Sequence, residues 1–132
     1  MKNFFKTQII LLSILLISSV LMAHGMDKLG PNNGYIQMPG SFHTELVRNK
    51  DGSLNVYLLD VAFKNPMVKN SSVKAVFKLN RSTELKCVAV QDHFQCTGLD
   101  KGADSGDLII NATRDGVKSD TAIYKLPLKL QK

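Results

Sequence analysis

An all-β fold, an antiparallel β-sandwich of immunoglobulin-like type with seven or eight strands, is what this sequence predicts. Short runs of alternating apolar and polar residues carry that expectation, since a period of two marks a half-buried strand. Turn signals such as Asp51-Gly52 and Asp115-Gly116 recur every 8–12 residues, the spacing of sandwich strands. No window beyond the first two dozen residues shows a helical period. A small β-barrel is the alternative closure for the same strands.

The chain begins with Lys2 and Lys6, followed by an apolar run from Ile9 to Met22 relieved only by serines, then Ala23. This order of positive, apolar and small residues is that of a secretory signal peptide over residues 1–23. The run of 14 residues is short for a membrane span, which takes about 20. An uncleaved anchor helix is the competing reading, and Leu21 is unusually large for the third position before a cleavage site. Residues 24–33 are polar and glycine-containing and read as a flexible arm. Residues 34–132 read as one sandwich domain.

Within that domain the stretch from Gly30 to Val47 sets the pattern. Gly30-Pro31, Asn33-Gly34 and Pro39-Gly40 punctuate it. Tyr35 and Gln37 alternate with Ile36 and Met38, and Phe42, Thr44 and Leu46 with His43, Glu45 and Val47. A hairpin turn at Lys50–Ser53 leads to a strand over 54–63, closed by Asn65-Pro66. Residues 72–79 place Val73, Ala75, Phe77 and Leu79 on one face, with a turn at 80–82. Residues 83–90 and 93–98 form a cysteine hairpin, 107–113 a strand with Leu108, Ile110 and Ala112 on one face, and 118–130 a last strand in which Pro127 marks an edge or bulge. The expected core includes Val47, Val56, Leu58, Val73, Ala75, Phe77, Leu108 and Ile110.

Two cysteines, Cys87 and Cys96, read as a disulfide in an exported chain. A two-residue loop at Gln91-Asp92 pairs Val90 with His93, and counting outward brings Cys87 opposite Cys96 on a non-hydrogen-bonded pair. Cα atoms there lie about 4.5 Å apart. Reduced metal thiolates and a bond between chains are the alternatives.

Formal net charge is +6. Loss of Lys2 and Lys6 with the signal leaves 15 basic residues against 11 acidic ones. The lysines are scattered among apolar strand residues, without the clustering and aromatic interleaving of a nucleic-acid surface. No G-x-S-x-G, no H-E-x-x-H and no thiol outside the cysteine pair points to catalysis, so the chain reads as non-enzymatic.

The candidate ligands are histidines and methionines. Cleavage after Ala23 makes His24 the mature N-terminus, whose α-amine and imidazole can chelate copper together. Met26 and Met38 offer thioethers, which suit Cu(I). His43 is expected on the strand face turned from the core, with Glu45 beside it as a carboxylate donor. His93 reads as a solvated turn residue at the tip of the cysteine hairpin.

Gly30-Pro31 with Gly34, then His43-Thr44-Glu45-Leu46-Val47, then Val56-Tyr57-Leu58-Leu59-Asp60 resemble a known pattern. It is that of the small β-domain in periplasmic adaptor proteins of heavy-metal efflux pumps, and of stand-alone exported bacterial proteins. There it runs G-P-H-G-G, a strand with H-x-E-L-V, a turn, and V-Y-L-x-D. The likeness covers about 30 of the 109 residues after Ala23. It implies metal handling, copper first, at His43, and an envelope or metal-efflux protein as partner. The pattern's first histidine falls near Asn32 and is missing here. The adaptors' long helical hairpin and lipoyl-type domain have no counterpart.

Overall fold

The structure, a computed structural model, describes residues 26–131. The signal segment and His24 lie outside the described residues. Among the described residues ten strands run antiparallel in two open sheets, and there is no helix. The first sheet has the order β1 (Tyr35–Gln37), β2 (His43–Arg48), β3 (Leu54–Leu59), β7 (His93–Thr97), β6 (Lys86–Val90). The second has β10 (Ala122–Leu126), β8 (Gly106–Arg114), β4 (Ser72–Lys78), β5 (Ser82–Glu84), with β9 (Val117–Lys118) paired to β8. The count exceeds the expected seven or eight because two expected strands are each broken. The sheets do not close into a barrel.

The first break is at Leu85. Ser82–Glu84 pairs with β4, Leu85 donates its N–H to the Ala75 carbonyl at 2.9 Å and turns its side chain inward, and Lys86–Val90 then joins the other sheet. One chain segment thus passes from sheet to sheet, and the buried leucine fixes where. The second break is at Ser119-Asp120, where the Ser119 N–H bonds the Ala112 carbonyl and ends the β8–β9 hairpin before β10 starts. The strand expected over 54–63 stops at Leu59, where the Asp60 side chain takes over the backbone donors that follow.

The core lies between the sheets. Leu46, Leu54, Val56, Leu58, Ala75, Leu108 and Ile110 are essentially inaccessible, and Val73 and Phe77 pack against them partly buried. On β2 the alternation puts Phe42, Thr44 and Leu46 inward, so Val47 is only half-buried on the opposite face and is not a core residue as expected. Leu79 lies past the end of β4 and is 53% exposed. Polar contacts tie the layers on the β1–β10 side. The Tyr124 hydroxyl donates to the Thr44 carbonyl at 2.9 Å. The Gln37 side-chain amide bonds both the carbonyl oxygen and the N–H of Ile123, at 2.6 and 3.1 Å.

The cysteine hairpin has the expected register, with Val90 opposite His93 and Cys87 opposite Cys96. The two cysteines are disulfide-bonded, with Cα atoms 4.0 Å apart. That short separation belongs to a non-hydrogen-bonded pair.

Candidate functional site

The outward face of β2 is not a solvated face. His43 is 5% exposed and Glu45 is fully buried. His43 does lie on the face turned from the core, but it is buried there because two loops fold over this side of the sheet. One precedes β1 and the other follows β3.

Glu45 holds the first loop. Its Oε1 accepts the backbone N–H of Asn32 at 2.8 Å and of Gly34 at 2.9 Å, and its Oε2 accepts the Asn32 side-chain amide at 2.9 Å. Charge-assisted bonds of this kind are about twice as strong as neutral ones. The backbone must come very close for this. A Cβ on Gly34 would lie 2.7 Å from Glu45 Cγ, and one on Gly30 2.6 Å from its carboxyl group. Glycine at both positions is therefore a requirement of the buried carboxylate. The bonds of Gly30 N–H to the Gly34 carbonyl and Asn33 N–H to the Gly30 carbonyl complete the turn. Earlier still, the Met26 N–H donates to the Ile36 carbonyl at 3.2 Å. The residues from Met26 to Asn33, read from sequence as an arm, thus lie against β1 and β2.

Asp60 builds the second loop. Its Oδ1 accepts the N–H groups of Ala62 and Lys64, each at 2.9 Å, and its Oδ2 the Asn65 amide at 2.7 Å. These bonds, the Lys64 backbone and the Asn65 side chain above all, hold the Asp60 carboxyl below its ordinary value. The turn places Phe63 and Asn65 at φ 61° and 53°. For a bulky residue like Phe63 the left-handed region is uncommon. In that conformation the Phe63 ring stacks on His43, with centroids 4.1 Å apart and planes inclined by 17°.

His43 is oriented twice over. Its Nδ1 lies 2.9 Å from the Asp60 carbonyl oxygen. A carbonyl can only accept, so in the neutral ring Nδ1 carries the proton and Nε2 keeps a lone pair. Stacking on Phe63 fixes the ring plane. Met38 is half-buried one residue beyond β1, and one further step of the β1–β2 register sets it opposite His43. Met26, Ile36 and Phe63, with Leu29 and Pro31, line a cavity of about 290 Å³ on the same side of the molecule.

Met38 thus stands opposite His43, and Met26 lines the cavity with Phe63, the ring on which His43 stacks, while Glu45 is engaged by three donors belonging to the loop it holds. Among the described residues no three His, Cys, Asp or Glu side chains stand together as a metal-binding group. His93 is not a free turn residue: its ring lies 4.8 Å from that of Tyr57, and its Nδ1 is 3.1 Å from Asp92. Burial and the nearby Asp92 raise the Tyr57 hydroxyl above its ordinary pKa.

Asn32, Asp60 and Phe63 have roles at this site that the sequence reading did not assign. Asp60 carried a signal, since an Asp followed by Asn65-Pro66 after a strand suits a side-chain-capped turn. Comparison with protein-family models, with curated proteins and with solved structures finds no match.

Proposed function

We propose that this is an exported, non-catalytic β-sandwich of the bacterial periplasm that binds a transition metal, copper first, through His43. The observation that carries the reading is the bond between His43 Nδ1 and the Asp60 carbonyl. Metal-ligating histidines characteristically donate their second ring nitrogen to a carbonyl or carboxylate, which orients the ring and raises the basicity of the other nitrogen. Met38 and Met26 supply soft thioether donors on the same side, a set that suits Cu(I). Glu45 is left out of the donor set, because both of its oxygens serve the Gly30–Gly34 turn. His24 adds an imidazole and, after cleavage at Ala23, an α-amine. It lies two positions before Met26, at most about 7 Å of extended chain. The bound ion is then handled as cargo, passed to or from an envelope or metal-efflux partner.

The disulfide supports an oxidising compartment, and no helix among the described residues is long and apolar enough to cross a membrane. The segment that changes sheets at Leu85 supports the immunoglobulin-like reading of the sandwich.

Copper competition titration of the protein purified from the periplasm tests the proposal, with the mature N-terminus read by intact mass. Met38→Leu keeps the volume and removes the sulfur, and His43→Gln removes the imidazole. Each is expected to weaken Cu(I) binding by more than tenfold, about 1.4 kcal/mol. Equal affinity in wild type and His43→Gln excludes the site. A second reading, a module without metal that offers a sheet edge to a protein in the envelope, is favoured by the commitment of Glu45 to its loop. It predicts no copper binding by either form.

A further inference from the structure

Each sheet has two edge strands, and they are not treated alike. An open edge presents unpaired N–H and C=O groups to another chain, and natural proteins blunt edges for that reason. At β1 the outward carbonyl of Ile36 is taken by the Met26 N–H. At β10 the outward N–H and carbonyl of Ile123 are both taken by the Gln37 side chain. At β5 the edge is only three residues long and carries Glu84.

β6 has none of these protections in its last residues. The Cys87–Cys96 pair, with Cα atoms 4.0 Å apart, is non-hydrogen-bonded, so by alternation the Ala89–Phe94 pair is too. The N–H and carbonyl of Ala89 therefore point away from β7. No described residue bonds them. Ala89 is exposed, Val88 is 46% exposed, and Val90 is half-buried at the same edge.

We propose that the protein forms a two-fold dimer by pairing β6 antiparallel with β6 of a second copy, the axis passing through Ala89. The second copy is favoured over other occupants because the strand complements itself in this register. Ala89 exchanges both backbone hydrogen bonds with Ala89 of the second copy. Val88 lies opposite Val90 of the second copy, and Val90 opposite Val88, so the exposed Val88 and the half-buried Val90 cover one another on one face. Lys86 faces the β6–β7 turn of the second copy, which carries Asp92, and the symmetry repeats this pairing of opposite charges. The contact is isologous and closed, and it joins two five-stranded sheets into one of ten strands.

Sedimentation equilibrium of the purified protein over a range of concentrations tests this. Wild type is expected to dimerise reversibly. Ala89→Pro removes only an outward N–H and is expected to leave a folded monomer. Lys86→Asp and Asp92→Lys are each expected to weaken the dimer at least tenfold, and the double exchange to restore it, a recovery that a general loss of folding cannot produce. A wild type that stays monomeric up to about 1 mM, weaker than any specific dimer of use, overturns the proposal. So does a dimer that all three single variants leave intact, because its interface then lies elsewhere.

Discussion

Asn32 and Glu45 are joined twice: the backbone N–H of Asn32 donates to one carboxylate oxygen at 2.8 Å and its side-chain amide to the other at 2.9 Å. This bridge, with the Gly34 N–H, explains why a fully buried carboxylate is tolerated in β2. An isolated buried charge is expensive, and three aimed donors replace the water it has lost. The sequence around Gly30–Gly34 serves that carboxylate.

Glu45→Gln is therefore expected to destabilise the fold although the side chain keeps its size. One end of the new amide carries hydrogens that face an N–H donor. Leaving a buried donor unpaired costs about 1–3 kcal/mol. Gly34→Ala should do comparable damage by a different route, since its methyl group would fall 2.7 Å from Glu45 Cγ. Urea melts of both variants measure this, and a change below about 0.5 kcal/mol, the scale of ordinary surface substitutions, shows that the bridge is dispensable.

Adjacent residues on β2 provide a test of which face is the core. Leu46 is inaccessible and packs between the sheets, whereas Val47 is half-buried on the far side. Leu46→Ala should cost about 2–5 kcal/mol, the range for buried leucines. Val47→Ala should cost about 1 kcal/mol or less, because little apolar area leaves the core. The opposite ranking in a denaturant melt means that β2 is turned over.

The strands were legible because alternation survives wherever one face meets the core, as in Val73-Ala75-Phe77 and Leu108-Ile110-Ala112. The faces of β2 were not. His43, Glu45 and Val47 look like an outward face, and so they are with respect to the main core, but loops from both sides of the strand bury the first two. Whether a loop folds back over a sheet is a long-range matter that no local period records. The sheet switch at Leu85 was hidden for the same reason: Thr83 to Val90 carries no glycine, proline or other turn residue to interrupt it, and only pairing with β4 on one side and β7 on the other divides it. The cysteine register was legible throughout, since a two-residue turn fixes every pair behind it.

From that register, a non-reducing digest of the exported protein should give one linked pair of peptides carrying Cys87 and Cys96. They stand nine positions apart in the sequence. Closing so short a loop restricts the unfolded chain by about 2–3 kcal/mol. Replacing both cysteines by alanine should lower stability by an amount of that order. Thermal melts with and without reductant check it. An unchanged midpoint on full reduction would show that the hairpin holds itself without the bond.

Acid provides the last test, and it falls on Asp60. Its carboxyl is held below the ordinary value of 3.8 by the Lys64 N–H first, then the Asn65 side chain and the Ala62 N–H. A depressed folded pKa means that the ionised form is preferred in the folded state. The stability it contributes is fully present above about 3.8 and is lost as the pH falls through the lower folded value. Asp51, bonded by the Ser53 hydroxyl and N–H, behaves in the same sense. Asp60→Asn should be less stable than wild type at pH 7, because the amide cannot accept from all three donors. The difference should shrink as the pH is lowered below about 3.8, where wild type loses its own advantage. His43 provides a local readout, since the Asp60 turn holds both the carbonyl on Nδ1 and the Phe63 ring. In Asp60→Asn the ring-proton resonances of His43 should lose the upfield displacement that stacking on Phe63 produces. A variant with wild-type His43 shifts and a wild-type acid transition would mean that the carboxylate neither builds this turn nor governs its pH dependence.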